Sequence, residues 1–132
     1  MKKPHIYLIA GEPSGDRLGA RLIDALRRKT KGQFKVSGIG GPEMEKKGLY
    51  SYFPMSELTV MGLVEVLPRI PKLLKRIRGT VKHILADSPD VVVTIDSPDF
   101  SLRIIKHLQG KNIPLIHYVA PSVWAWKPGR AK

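Results

Sequence analysis

Short apolar runs alternate along the chain with longer segments in which apolar residues recur every three or four positions. The first run, His5–Ala10, is almost entirely apolar, which is typical of a strand buried on both faces of a parallel sheet. Val91–Ile95 is the clearest strand, because every residue in it is β-branched. The strands predicted in this way are 5–10, 34–39, 91–95 and 113–119, with a further short strand at 50–53.

The segments between the strands have the periodicity of amphipathic helices. One apolar stripe, from Leu73 to Leu85, predicts a helix that begins near Pro71 and ends at Ser88. Ser97 and the proline after it form a helix start of the usual kind. The predicted helices cover 14–29, 43–47, 71–87 and 97–110. Strands that alternate with helices predict one α/β domain, a parallel sheet with helices on both faces.

Composition narrows the class of protein. The chain has 132 residues, the length of one domain, and it has no cysteine, which excludes a disulfide framework and a cysteine-based zinc site. No run approaches the ~20 apolar residues of a membrane span. The apolar run after Lys2 and Lys3 is too short for a secretory signal. We therefore expect a cytoplasmic protein, soluble or peripheral to a membrane.

The net charge of +12 is unevenly distributed. Six lysines and arginines and no acid lie between Val66 and Ala86, and six more follow Asp99, again with no acid. Such a field attracts phosphates, nucleic acid or anionic lipid, although it is also typical of a solvated surface. Apolar residues precede this basic helix, an arrangement that suits contact with an anionic bilayer. The residues predicted to contact lipid or acyl chains are Val64, Val66, Leu67 and Ile70.

The junction between the first strand and the first helix, residues 10–16, is a candidate binding loop. Open α/β sheets bind their ligands outside the carboxyl ends of the strands. Gly11 and Gly15 allow the backbone to approach a ligand closely. Glu12 and Asp16 make the loop acidic, which favours a sugar hydroxyl over a phosphate. Ser14 and Asp16 also fit a purely structural role as helix caps.

A second junction, after Val91–Ile95, places Asp96 at the end of a buried strand. Partial desolvation would raise the pKa of this carboxyl group, and such a group can accept a proton from a hydroxyl nucleophile. Asp99 follows in the first helical turn, where it complements the helix dipole. Asp96 is the candidate catalytic base, and its alternative role is that of an acid in the turn before the helix.

The last predicted strand contains His117, and two tryptophans follow it. His117 could donate to a phosphate or satisfy a hydrogen bond in the core. Trp124 and Trp126 could pack in the core or stack on a sugar or a uracil. The spacing of the histidines and acids predicts no metal site.

Five segments of the chain, in this order, resemble the N-terminal part of the lipid-A-disaccharide synthases. The resemblance covers essentially the whole chain, and the order and spacing of the segments make it specific. The segments are 11–16 (GEPSGD), 40–44 (GGPEM), 60–67 (VMGLVEVL), 95–100 (IDSPDF) and 117–126 (HYVAPSVWAW).

The resemblance implies the N-terminal half of a GT-B glycosyltransferase, a protein with two Rossmann-like domains. The implied reaction transfers 2,3-diacylglucosamine from UDP-2,3-diacylglucosamine to 2,3-diacylglucosamine 1-phosphate with inversion, on the cytoplasmic face of a bacterial inner membrane. It needs no metal and no cofactor. Asp96 falls on the position of the general base. The implied substrate-binding residues are Glu12, Ser14, Gly15, Asp16, Met61, Asp99, His117 and Ser122.

Length is where the chain departs from this family, whose members are nearly three times as long. We expect residues 1–132 to form the acceptor-side and membrane-side domain. The UDP-binding domain is expected to be absent from the chain, which would then be inactive alone and would need the missing domain or a second copy as its partner. The alternative function is a basic α/β module that binds nucleic acid or a nucleotide cofactor. The acidic first loop and the lack of a nucleic-acid-binding motif weigh against it.

Overall fold

A computed structural model of the chain describes residues 3–63, 70–95 and 98–118, with side chains described except at 60–63, 70, 98 and 99. Helices and strands alternate over most of this length. In chain order the elements are β1 (His5–Ala10), α1 (Pro13–Thr30), β2 (Lys35–Ile39), α2 (Pro42–Lys46), α3 (Met55–Leu63), α4 (Ile70–Asp87), β3 (Val91–Ile95), α5 (Pro98–Leu108) and β4 (Leu115–Tyr118).

The strands of the described residues form one parallel sheet in the order β2-β1-β3-β4. The chain goes from β1 to β2 in one direction, and then crosses back over β1 to β3 and β4. The order therefore reverses between β1 and β3, which is the topological switch point where open α/β sheets bind ligands. Ala10 and Ile95 are paired across this boundary. Because both residues end their strands, the loops that follow begin side by side.

Helices cover both faces of the sheet. Gly15 of α1 lies against the side chain of Ala10, and a Cβ built on Gly15 would be 3.4 Å from the Cβ of Ala10. On the other side, the hydroxyl of Tyr7 is hydrogen-bonded to Nδ1 of His83 in α4 at 2.6 Å. Residues 7 and 10 of a strand point to opposite faces. The prediction of a parallel, Rossmann-like sheet with helices on both faces is confirmed.

The central strand explains why the first apolar run has no polar alternation. All six residues of β1 are buried, because β1 has a paired strand on each side and a helix on each face. Residues with no exposed surface extend this core into β2 and β3, among them Ile39 and Ile95. Of the helices that the structure describes, none has the length and apolar character needed to span a bilayer.

In the middle of the chain one predicted strand is wrong and one helix was not predicted. Residues 50–53 do not form a strand, since only Ser51 makes an isolated bridge, to Gly38. The segment instead leads into α3, which the sequence did not predict. The apolar residues of Met55–Leu63 are distributed around the helix rather than along one side, so the helix lacks the periodicity by which the others were recognised.

The start of α1 also differs from the prediction. Ser14 was expected to be the N-cap, but the N-cap is Glu12, with extended backbone (φ −144°, ψ 159°), and Pro13 follows it. Proline suits the first helical position, because its φ is already helical and it has no N–H to satisfy. Ser14 therefore lies within the first turn.

Candidate functional site

The first candidate loop packs on the end of β3, the strand that leads to the second candidate loop. A Cβ built on Gly15 would lie 3.4 Å from the carbonyl oxygen of Ile95 and 3.4 Å from its Cγ2. The first turn of α1 therefore packs directly on the last residue of β3, the residue before Asp96. A side chain larger than alanine at position 15 would have to displace the end of β3.

Several predicted site residues lie outside the described part of the chain. One of them is Asp96, the predicted base. It directly follows Ile95, which is fully buried and is the last residue of β3. Met61 and Ile70 belong to α3 and α4, and Asp99 belongs to α5, but their side chains are not described. The remaining predicted residues outside the description are Val64, Val66, Leu67 and Ser122. The roles assigned to all of these residues stay predictions.

Asp16 binds backbone groups of a different helix. The residue is 2% exposed, and its carboxylate accepts hydrogen bonds from the backbone N–H groups of Gly41, Glu43 and Met44, each at 2.9 Å. These N–H groups belong to the N-terminus of α2, where a carboxylate also complements the helix dipole. Asp16 thus caps α2 rather than its own helix, and it joins the first loop to the Gly40-Gly41-Pro42 turn. A direct contact of Asp16 with substrate stays a prediction.

The other residues of the first loop differ in their exposure. Glu12 is exposed, and its side chain makes no capping hydrogen bond to α1. Ser14 is half-buried and Gly15 is buried. Glu12 is therefore the residue of this loop whose carboxylate is most accessible to a ligand.

Thr59 of α3 was missed by the sequence analysis. Its Oγ1 donates a hydrogen bond to the backbone carbonyl of Gly11 at 2.8 Å, which connects α3 to the first loop. Nothing in the spacing around Thr59 indicated this contact, because α3 itself was not recognised.

Glu57 and Arg76 form a second link that the sequence analysis missed. Nε and Nη2 of Arg76 donate to the two carboxylate oxygens of Glu57, both at 2.8 Å. The hydrogen bond from Arg76 holds the pKa of the Glu57 carboxyl below its usual range, although burial opposes this shift. Arg76 also lies over the ring of Phe53, 4.6 Å from its centroid. This pair joins α3 to α4 on either side of residues 64–69.

His117 is placed beside a buried threonine. The two residues are paired in register between β3 and β4, and Nδ1 of His117 is hydrogen-bonded to Oγ1 of Thr94 at 2.6 Å. Thr94 is fully buried, so this contact belongs to the core of the sheet. A contact between His117 and phosphate stays a prediction.

Helix α4 has several positively charged side chains on its surface. The exposed cations of α4 are Lys72, Lys75, Arg78 and Lys82.

A cavity of about 680 Å³ opens beside the first loop, between Pro13, the Gly40-Gly41-Pro42 turn and the start of α3. Among residues 3–63, 70–95 and 98–118, no three His, Asp or Glu side chains come together in a way that could hold a metal ion.

Comparison with known proteins shows which family this chain is similar to. A family model described as lipid-A-disaccharide synthetase matches residues 6–132. The chain is 55% identical over 134 residues to the lipid-A-disaccharide synthase of Rhodospirillum centenum, covering 100% of this chain and 33% of that protein. It is 57% identical over 129 residues to that of Paramagnetospirillum magneticum, covering 96% and 33%. With the synthase of Ruegeria pomeroyi the identity is 54% over 127 residues, covering 96% and 31%. The chain spans about a third of the length of these curated relatives.

Proposed function

This chain belongs to the lipid-A-disaccharide synthase family, and from that premise we propose that it forms the acceptor-side domain of an inverting glycosyltransferase of lipid A synthesis. The observation that supports this most is the contact between Gly15 and Ile95. It brings the first loop against the end of β3, the strand that precedes Asp96 in the sequence, at the switch point where this fold class binds its ligands.

The proposed reaction transfers 2,3-diacylglucosamine from UDP-2,3-diacylglucosamine to the 6-hydroxyl of 2,3-diacylglucosamine 1-phosphate. The hydroxyl oxygen forms a bond to the anomeric carbon as the bond from that carbon to UDP breaks, so one displacement inverts the configuration. Asp96 accepts the hydroxyl proton as general base. The products are the β-1,6-linked disaccharide 1-phosphate and UDP.

The first loop would orient the acceptor sugar. Glu12 is exposed at the carboxyl edge of β1, so its carboxylate can accept hydrogen bonds from sugar hydroxyls. Asp16 holds the loop in shape by capping α2. The other residues proposed to contact substrate are Ser14, Gly15, Met61, Asp99, His117 and Ser122.

The proposed contact with the membrane involves positively charged residues and apolar residues. The exposed cations of α4 suit the anionic surface of the inner membrane, and the adjacent segment provides side chains for the acyl region. We propose a cytoplasmic, peripheral location on this basis. The apolar contacts would be Val64, Val66, Leu67 and Ile70.

The relatives are about three times as long as the matched region. We propose that a second Rossmann-like domain, corresponding to the rest of these relatives, holds most of UDP-diacylglucosamine. A second copy of the chain is the other partner to test. In either case residues 1–132 alone would not turn over substrate, because the groups that bind the diphosphate would be missing.

A chimera tests this proposal. Residues 1–132 would replace the matching N-terminal third of the Rhodospirillum centenum relative, to which they are 55% identical. UDP release from UDP-2,3-diacylglucosamine plus 2,3-diacylglucosamine 1-phosphate would be measured in detergent micelles, with the unaltered relative as the reference. We expect turnover by the chimera and none by the chain alone. A folded chimera without turnover would contradict the proposal.

A further inference from the structure

We propose that the cavity beside the first loop is an acyl-chain site, which holds one fatty acyl chain of an acylated sugar. The choice of an acylated sugar rests on the proposed function, whereas the preference for an apolar ligand rests on the cavity itself. At about 680 Å³ it falls within the ~300–1,000 Å³ range of small-ligand sites. We call it the acyl cavity.

The walls of the acyl cavity are mostly apolar. Pro13 and Pro42 contribute two rigid faces from the starts of α1 and α2. Tyr52, Phe53 and Met55 also line the cavity, from the segment that enters α3. Phe53 and Met55 are packed against the core (4% and 7% exposed), so their positions are fixed by the fold and do not need a ligand.

Three of the polar groups that line the cavity already have partners within the protein. The N–H of Gly40 donates to Oγ of Ser51 at 3.1 Å, and the N–H of Gly41 donates to Oδ1 of Asp16 at 2.9 Å. The Ser51 hydroxyl in turn donates to the carbonyl of Phe53 at 2.6 Å. A ligand therefore gains little from hydrogen bonding to these groups and gains most from burying apolar surface.

Charge in the same place argues against a phosphate. The N-terminus of α2 would ordinarily attract an anion, but the carboxylate of Asp16 already occupies it. Glu45 lines the cavity itself, and the Asp16 carboxylate is hydrogen-bonded to the lining residue Gly41. An anionic group in the cavity would be repelled by these acids, whereas a neutral alkyl chain would not.

The acyl cavity lies next to the first loop, which belongs to the candidate acceptor site. Pro13 lines the cavity and is the immediate neighbour of Glu12, the exposed carboxylate of the first loop. Thr59, which also lines the cavity, is bonded to Gly11 of the same loop. A sugar held at Glu12 would thus have the mouth of the cavity beside it for an attached chain.

The test is a chain-length series measured on the 132-residue chain by titration calorimetry. The probes are N-acylglucosamines from N-butanoyl to N-dodecanoyl, used below their critical micelle concentrations. Burial of each added methylene should tighten Kd about fourfold until the cavity is filled, after which Kd should level off. Equal affinity for the shortest and longest probes would overturn the proposal. Displacement of the N-dodecanoyl probe by UDP would also overturn it, since the cavity would then be a nucleotide site.

Matched variants locate the binding. Ser56 is exposed in the first turn of α3 and lines the cavity, so Ser56→Trp should fill its mouth and remove the chain-length dependence. Ser56→Asp should weaken binding of the N-dodecanoyl probe at least tenfold without changing the volume of the cavity appreciably. Lys46→Trp, at an exposed position of α2 that does not line the cavity, is the control and should bind as the parent does. Circular dichroism would verify that each variant is folded.

If both Ser56 variants bind the N-dodecanoyl probe with parental affinity, the site lies elsewhere and the proposal is wrong. These binding measurements need no turnover. An active chimera with no chain-length dependence would refute the acyl cavity and leave the proposed function intact. A clear chain-length dependence with an inactive chimera would refute the function and leave the cavity intact.

Discussion

The buried carboxylate of Asp16 accepts a hydrogen bond from the backbone N–H of Gly41 at 2.9 Å, and this contact connects the loop after β1 to the loop after β2. The same carboxylate binds two further N–H groups at the start of α2. One side chain thus fixes the relative position of two loops at the ligand-binding edge of the sheet. Its removal should therefore affect folding before it affects any chemistry.

We expect Asp16→Ala to lower the free energy of unfolding by about 2–3 kcal/mol, because the N–H groups of Gly41, Glu43 and Met44 would lose their acceptor. Urea denaturation followed by circular dichroism measures this. Asp24→Ala is the matched control, since Asp24 is a half-buried acid of α1 paired with Lys47, and its loss should change stability by less than about 1 kcal/mol. Equal effects of the two substitutions would contradict the capping role.

Gly41 itself is predicted to tolerate no side chain. A Cβ at this position would lie 2.7 Å from Oδ2 of Asp16 and 2.7 Å from Cε of Met55. Gly41→Ala should therefore destabilise the protein by about 1–3 kcal/mol. Gly15→Ala is the comparison, because the nearest atoms there are at 3.4 Å and the change adds helix propensity within α1. If thermal denaturation ranked Gly15→Ala as the more damaging change, the packing at Gly41 would be misassigned.

The Glu57–Arg76 pair should make stability depend on pH. The pKa of Glu57 is lowered by the hydrogen bond from Arg76, so the pair stabilises the protein above the unfolded-state pKa, near 4.5, and the stabilisation is lost as pH falls through the lower folded-state pKa. Glu57→Gln should cost about 1 kcal/mol at pH 7, and the difference from the parent should shrink below pH 4. Urea denaturation of both proteins from pH 7 to pH 3 is the measurement. If the stability difference between Glu57→Gln and the parent stayed constant from pH 7 to pH 3, the Glu57–Arg76 pair would not be the cause of the pH dependence.

His5 should give a second pH dependence, at higher pH. Burial lowers the pKa of His5, although Asp87 opposes the shift, and its Nε2 is hydrogen-bonded to Oγ of Ser37 at 2.7 Å. The folded state therefore favours neutral His5, so stability is full above the unfolded-state pKa of 6.5 and falls as pH drops through the folded-state value.

The unfolding free energy of the parent should decrease between pH 7 and pH 5, with a slope of at most about 1.4 kcal/mol per pH unit from this group. His5→Gln should remove that contribution. His107→Asn, a change at an exposed histidine of α5, should keep the parental slope. A parental slope in the His5→Gln protein would assign the pH dependence to other groups.

The elements recognised from the sequence were those whose pattern reflects their own burial. Val91–Ile95 is β-branched because it is a central strand, and the stripe from Leu73 to Leu85 follows one face of α4. By contrast, α3 has apolar residues around its whole circumference, so no stripe indicated it.

Contacts at the site were harder to predict because they are tertiary. Asp16 was correctly placed in the first turn of α1, but its hydrogen-bond partners are 25 to 28 residues away. Glu57 and Arg76 are 19 residues apart on two helices, and no local pattern relates them. The meeting of Gly15 with Ile95 depends on the strand order, which alternating helices and strands do not determine.

Asp96→Asn in the chimera with the Rhodospirillum centenum relative tests the proposed chemistry most directly. Loss of a general base should lower kcat for UDP release by about 10²–10⁴-fold, while the melting temperature stays at the parental value. Asp24→Asn, on α1 and outside the proposed site, should leave kcat unchanged. A folded Asp96→Asn chimera with kcat within threefold of the parent would contradict the assignment of Asp96 as the base and, with it, the proposed acceptor site at the switch point.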